Sequence, residues 1–176
     1  MRVIGGEFRS RVLKSLPGLE VRPTPDRMRE SLFNILAPRI NGTVFADVYA
    51  GTGAVGIEAL SRGARLAIFV EQNRAAAAII RENLRTLGLD ARSVLRHTKA
   101  ANALADIEAD IVFLDPPYEL ENEYERSMTV LGEKSPQLVI VQHSARFEMK
   151  EMYGGLRRAR VVKQGDNVLT FYQPGQ

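Results

Sequence analysis

Two short stretches carry residue types suited to chemistry. Asp115-Pro116-Pro117-Tyr118 ends an apolar run, Ile111 to Leu114. Gly51, Gly53 and Gly56 form a G-x-G-x-x-G pattern inside DVYAGTGAVGIEAL. The first stretch suits an exocyclic amino group on a base or an amide. Such a nitrogen is a poor nucleophile because its lone pair is delocalised. Two acceptors aimed at its two hydrogens hold it still and leave the lone pair free to meet an electrophile. The Asp115 carboxylate supplies one acceptor and the Pro116 carbonyl a second. Pro116 and Pro117 lack N–H groups and have fixed φ, so the acceptors are held rigidly. Tyr118 offers a face for a planar base, an interaction worth roughly 1–3 kcal/mol. A base reached this way is unpaired or has left its stack. The bland alternative is a simple turn, with prolines stopping the strand and Tyr118 packed on the rim. The buried strand before it and the glycine loop upstream favour the functional reading.

The glycine pattern follows an apolar run and opens a helix-like segment, the context in which it binds a cofactor. Glycines let the backbone turn sharply and approach a ligand closely. Glu71 ends the next apolar run, where a carboxylate can take hydrogen bonds from both ribose hydroxyls. These features fit a nicotinamide dinucleotide as well as S-adenosylmethionine. Asp47 helps to separate the two. A carboxylate beside the loop repels a pyrophosphate but suits the ammonium and sulfonium of S-adenosylmethionine. Its structural alternative is to brace the loop through backbone N–H groups.

These stretches need elements to position them. From residue 43 onward strand-like and helix-like segments alternate. TVFADVY, ARLAIFVE, ARSVLRH, ADIVFLD and QLVIVQHS read as strands. AVGIEALSRG and NRAAAAIIRENLRTLG read as helices closed by Gly63 and Gly88, and residues 123–132 as a further helix. GLRRARVVKQG and NVLTFYQ read as an antiparallel pair around Gly165-Asp166. The alternation predicts an α/β fold with a mainly parallel sheet covered on both faces. Ligands of such sheets bind outside the carboxyl ends of the strands, where Asp47, Glu71 and Asp115 all lie. Ahead of this body, RVIGGEFRSRVLKS reads as two short strands around Gly5-Gly6. DRMRESLFNIL reads as a helix with Met28, Leu32, Ile35 and Leu36 on one face and Asp26 as its N-cap.

The 176 residues, 45% of them hydrophobic, suggest one domain, with residues 1–40 as an extension and 41–176 as the core. The chain has no cysteine, which excludes disulfides and thiolate metal sites, and its two histidines, His97 and His143, are far apart. No metal site is expected. No apolar run approaches the roughly 20 residues that span a bilayer, and MRVIGGEFRS lacks a signal-peptide core. The expectation is a cytoplasmic protein. The net charge of +3 is uneven. Residues 1–39 hold eight Lys/Arg against four acids, residues 146–163 six against two, and residues 104–133 one arginine against nine acids. Basic ends suit a polyanion. Glu119, Glu121, Glu123 and Glu125 are expected to face solvent, away from such a partner.

At these residues the chain resembles the RsmD-like 16S ribosomal RNA guanine-N2 methyltransferases of bacteria. The resemblance rests on RVIGGEFRSR, RPTPDRMRESLFNIL, DVYAGTGAVGIEALSRGA, FVEQN, DPPY and QGDNVLTFY, and runs nearly end to end. It implies a Rossmann-like methyltransferase fold, a mostly parallel seven-stranded sheet with helices on both faces and a short N-terminal β-hairpin extension. It implies S-adenosylmethionine as cofactor, and as partner 16S rRNA in the 30S subunit or an assembly intermediate. The protein is expected to be a monomer. By position, Asp47, Tyr49, Gly51, Thr52, Gly53, Glu71 and Gln72 would hold the cofactor. The 22–31 segment would close over it with Arg22, Thr24 and Ser31. Asp115, Pro116, Pro117 and Tyr118 would hold the guanine amino group, and Arg2, Arg9, Arg11 and Arg27 would meet RNA. The family's acidic residue after the third strand is replaced here by RHTKAAN, which leaves His97 or Thr98 as the candidate there. Competing functions are methylation of a DNA base or protein glutamine, nicotinamide redox chemistry, and a non-catalytic RNA-binding assembly factor.

Overall fold

Strand and helix alternate in the computed structural model, which describes residues 1–17 and 24–175. The elements are α1 (Asp26–Leu36), β1 (Val44–Val48), α2 (Ala54–Ser61), β2 (Leu66–Val70), α3 (Arg74–Thr86), β3 (Ser93–Arg96), α4 (Ala100–Ala103), β4 (Ile111–Leu114), α5 (Glu121–Lys134), β5 (Leu138–Ser144), β6 (Met152–Tyr153), β7 (Leu156–Gln164) and β8 (Asn167–Pro174). They build one sheet in the order β3-β2-β1-β4-β5-β8-β7-β6. The first five strands are parallel, and β8, β7 and β6 add on antiparallel. The expected seven strands are present. The eighth, β6, is a two-residue strand too short to leave a periodic signal in sequence.

The burial explains the pattern. Every residue of β4 is buried, as a central parallel strand covered on both faces requires. One apolar cluster joins α1, α2 and α3 to one face through Phe33, Phe45, Phe69 and Phe113. The other joins α4 and α5 to the opposite face through Val112, Leu114, Tyr124 and Met128. β7 shifts register between Arg158 and Arg160. This bulge turns its far end so that Val162 packs on the α1 face.

Residues 1–13 form the expected hairpin in a short, irregular form. Arg2 and Val12 make an antiparallel bridge, flanked by Val3 N–H to the Arg11 carbonyl at 3.0 Å and Leu13 N–H to the Met1 carbonyl at 2.8 Å. Backbone donors of the turn between the two arms go to α2. Glu58, fully buried, accepts from Ile4 N–H at 2.8 Å and Gly5 N–H at 2.9 Å. Ser61 Oγ donates to the Gly5 carbonyl at 2.6 Å and accepts from Phe8 N–H at 2.9 Å, while its carbonyl accepts from Glu7 N–H at 2.8 Å. Gly6 has φ +80, and a Cβ there would lie 2.0 Å from the Ser61 carbonyl oxygen. Only glycine fits so close an approach.

Asp26 is the first residue of α1 rather than its cap; Pro25 holds the cap position and no side chain caps the helix. The Asp26 carboxylate accepts instead from Arg29 Nη2 at 3.1 Å. Arg29 is fully buried on the face carrying Met28, Leu32, Phe33 and Leu36, with Ile35 only half-buried. Its Nη2 also donates to the Arg2 carbonyl at 2.6 Å, and its Nε lies 3.8 Å from Glu58. Burial lowers the Arg29 pKa, opposed by Glu58 and Asp26. Arg62 completes the group, donating from Nε to Glu58 at 2.9 Å.

Removing one partner of a buried ion pair leaves the other charge uncompensated, at a cost of about 3–5 kcal/mol. Glu58→Ala should therefore lower the unfolding free energy by about that amount in urea titration. It should also make residues 1–13 the first site of limited proteolysis. Wild-type stability in that variant would contradict the role given to Glu58.

Candidate active site

The strand order reverses between β1 and β4, and a crevice opens there at the carboxyl ends. Val48 and Leu114 are register partners, and Asp115 N–H reaches the Val48 carbonyl at 3.4 Å. The glycine loop and D-P-P-Y therefore leave the sheet side by side.

The chain turns out of β1 through Tyr49, which has φ +64. Its phenol donates to Glu123 Oε2 at 2.7 Å and meets Ser127 Oγ at 3.0 Å. The Tyr49 ring is thus taken up by α5, and burial raises its pKa. Glu123 is correspondingly half-buried, unlike the exposed Glu119, Glu121 and Glu125; the expectation that all four face solvent fails at this one residue.

Asp47 is 1% exposed, and its Oδ2 accepts from Gly56 N–H at 2.9 Å. It braces the first turn of α2. Gly56 allows close packing, since a Cβ there would meet the Phe69 ring at 2.3 Å. Glu71 ties the loop to the next strand end. It accepts from Gly51 N–H at 2.7 Å and from Asn73 N–H at 2.9 Å. The Thr52 carbonyl accepts from Asn83 at 3.3 Å, and Gly53 caps α2. Gln72 is exposed, with its carbonyl 3.1 Å from His97 Nε2. Above Gly51 there is open space: a Cβ there would touch nothing within 4 Å.

Burial pushes the Asp47 carboxyl well above its usual range; the Gly56 N–H opposes this, and the charges of Asp115 and Glu71 add to it. Three carboxylates thus share one crevice. A cation placed among them relieves their repulsion, and an anion would increase it.

On the β4 side, Pro116 is buried, and its carbonyl lies 3.5 Å from the Tyr124 hydroxyl. The Pro117 carbonyl accepts from Leu120 N–H at 3.0 Å, closing the turn. Tyr118 donates to Asn167 Oδ1 at 2.8 Å, which steers its half-buried ring toward the β7–β8 hairpin.

The start of α1 covers this second half of the crevice. Thr24 Oγ1 donates to Gln142 at 3.1 Å, and Gln164 donates to Ser31 Oγ at 2.6 Å. Gln142 follows Val141, the register partner of Leu114, so Thr24 lies over the strand end beside Asp115. Arg22 lies outside the described residues. Arg27 is exposed on the rim. Arg2, Arg9 and Arg11 are exposed on the N-terminal segment, with Arg2 Nη1 donating to the Ser10 carbonyl at 2.7 Å. His143 is buried between the Ser144 carbonyl at 2.9 Å and Thr170 at 2.7 Å, and burial lowers its pKa. The carbonyl requires a proton on Nδ1, so Thr170 donates to Nε2, and the neutral ring is fixed in the core.

The chain matches the model of the family described as Conserved hypothetical protein 95 over residues 1–173. It is 34% identical to "Putative rRNA methyltransferase YlbH" of Bacillus subtilis, with 98% of both chains covered. This protein belongs to the RsmD family. A 43% match to ribosomal RNA small subunit methyltransferase D of Escherichia coli covers 67% of this chain and 60% of that relative. Among solved structures, "Putative methyltransferase yhhF" from Escherichia coli superposes with a TM-score of 0.87 at 33% identity, covering 99% of this chain and 97% of that one. The RsmD-family fold is thus a methyltransferase fold.

Several residues that shape the crevice were absent from the sequence reading. Glu58 lies inside an apolar run and Gln142 at the end of one, and that misfit was their only local signal; Ser127, in EYERSMTV, and Asn167, after Asp166, had none. Among the described residues, no three His, Asp or Glu side chains cluster as metal ligands, and no helix is long and apolar enough to cross a membrane.

The raised Asp47 pKa has a stability consequence. The folded state holds a proton that the unfolded state has released, so this contribution is full below the unfolded carboxylate range. It is lost as pH rises through the raised folded pKa. Asp47→Asn keeps an acceptor for Gly56 and removes the charge. Relative to wild type it should be nearly neutral in acid and stabilising at neutral pH by on the order of 1 kcal/mol, or about 2–4 °C in Tm. Thermal melts across pH check this; a variant less stable than wild type at neutral pH would refute it.

Proposed function

We propose that this protein transfers a methyl group from S-adenosylmethionine to the exocyclic N2 amino group of a guanine in 16S rRNA, on the 30S subunit or an assembly intermediate. The observation that carries this reading is the pairing of Val48 with Leu114, which sets the glycine loop and D-P-P-Y side by side. Family membership supports the same reaction class.

The residues fit the cofactor. Open space above Gly51 leaves room for a ligand, and the carboxylates of Asp47, Glu71 and Asp115 suit a molecule carrying an ammonium and a sulfonium. Bound S-adenosylmethionine supplies a methyl group on positively charged sulfur. Glu71 already accepts two backbone N–H bonds, and a carboxylate has lone pairs left for ribose hydroxyls. Asp47 holds the loop in shape through Gly56 and adds negative potential.

Asp115 accepts one hydrogen of the guanine amino group, and the Pro116 carbonyl the other. The lone pair then points at the methyl carbon. This positioning replaces chance collision with a fixed approach. Tyr118, restrained by Asn167, stacks on the base. Transfer would break the S–C bond as the C–N bond forms, leaving the sulfur as a neutral thioether, and Asp115 would receive the proton that the nitrogen then loses.

Asp115→Ala should lower methyl transfer by about 100-fold or more, the scale expected for losing near-attack geometry. Its affinity for S-adenosylmethionine should stay within a few-fold of wild type. Asp115→Asn should cost less, since its amide oxygen still accepts. Full activity in Asp115→Ala would remove the proposed role. By calorimetry, Glu71→Ala should weaken S-adenosylmethionine binding, and unchanged affinity would refute the ribose assignment. Wild-type affinity should also fall in acid, as Asp47 takes up its proton and stops attracting a cation. The deciding assay is transfer of radiolabelled methyl to small-subunit particles lacking the modification, followed by nucleoside digestion. A labelled N2-methylguanosine peak supports the reading; label on another nucleoside, or none, overturns it.

A further inference from the structure

A groove of about 490 Å³ lies between the start of α1 and the β7–β8 hairpin. Pro25, Arg27, Lys163, Gln164, Gly165 and Asn167 line it. That volume falls within the roughly 300–1,000 Å³ of small-ligand clefts. Asn167 is also the hydrogen-bond partner of Tyr118, so the groove begins where the proposed base-stacking ring ends. Its walls are fixed. Gln164 donates to Ser31 across it, and Thr24, next to Pro25, is pinned to Gln142.

The lining carries two exposed cations, Arg27 and Lys163, and no carboxylate. Of the neighbouring acids, Asp26 is paired with Arg29, and Asp166 is exposed on the turn, outside the lining. Besides the cations, the groove offers the side-chain amides of Gln164 and Asn167, suited to sugar hydroxyls or base edges. Open space at Gly165, where a Cβ would meet nothing within 4 Å, leaves the hairpin tip uncovered.

The geometry points to a subsite for the sugar-phosphate backbone of the single-stranded nucleotides flanking the target base, with Arg27 and Lys163 neutralising phosphates. The inference rests on the RNA reading above and adds Lys163 and the hairpin to it. A base extruded toward Asp115 and stacked on Tyr118 leaves its neighbours at the crevice rim. On the hairpin side, that rim is this groove.

The test is binding of a short single-stranded oligoribonucleotide by fluorescence anisotropy across a salt series. KM for small-subunit particles is measured alongside. Each phosphate contact on a single strand contributes about 0.7 to the slope of log affinity against log salt. The double variant Arg27→Ala/Lys163→Ala should thus flatten the slope by about 1.4, two contacts at about 0.7 each. It should also raise KM for particles by about tenfold, with S-adenosylmethionine affinity unchanged. Lys163→Arg, which keeps the charge, should leave both quantities near wild type. Arg85→Ala, which removes one positive charge from the exposed end of α3, should change neither quantity. Wild-type slope and KM in the double variant would overturn the subsite while leaving the catalytic reading intact. A flattened slope together with no N2-methylguanosine from the wild-type protein would keep the subsite and sink the catalytic reading. An equal loss with Arg85→Ala would reduce the effect to net charge and also overturn the subsite.

Discussion

A single buried carboxylate organises the molecule. Glu58 sits in α2 with no exposed surface, yet it accepts from two backbone N–H groups, holds Arg62, and faces Arg29. Burying a charge is costly unless it is paired and hydrogen-bonded. Here each partner belongs to a different part of the chain. Ile4 and Gly5 bring in the N-terminus, Arg29 brings in α1, and α2 itself follows the glycine loop. Arg29 in turn holds the Arg2 carbonyl. Satisfying one charge therefore assembles the extension, the helix that covers the crevice and the helix that carries the loop into one body.

The crevice above that body reverses the logic. Around Glu58, a negative charge is surrounded by donors and cations. Around Asp47, the neighbouring charges are other carboxylates, Asp115 and Glu71, and burial adds to the cost of ionisation. A site built this way is not at its lowest free energy when empty. The unfavourable interactions among its carboxylates are what make a cationic ligand favourable. The same imbalance disfavours a pyrophosphate, a preference that follows from charge alone.

Much of this was legible in the chain because it rests on local rules. The alternation of apolar runs and amphipathic segments marked β1 to β5, and the glycines and D-P-P-Y marked the loops that leave β1 and β4. The legible parts are those in which a residue's neighbours in sequence decide its environment. The N-terminal hairpin was legible, but the hold on its turn was not, because the backbone donors of residues 4–8 go to Glu58 and Ser61, more than fifty positions away. Asp26 fits a cap by type, but the buried guanidinium of Arg29 claims its carboxylate. Glu123 belongs to an acidic run that reads as solvated, and only the left-handed turn at Tyr49 brings a phenol to it. The partners that pin Thr24 and Ser31 were unreadable for the same reason, since Gln142 and Gln164 lie more than a hundred residues downstream.

The bulge in β7 has an effect beyond repacking Val162. Among the described residues, β6 pairs only with Leu156 and Arg157, so the rest of β7 is the outer edge of the sheet. An unpaired edge offers a row of amides and carbonyls to any passing strand, including another copy of itself. Here that row is broken at Arg158–Arg160, and Arg157, Arg158, Arg160 and Lys163 stand along it. Two copies meeting edge to edge would set these cations against one another across a ladder already out of step. Although Val161 is left exposed on that edge, the sheet is built to stop growing at β7. Neutralising the arginines would leave a sticky margin and turn a self-limiting fold into one prone to pair with its neighbours.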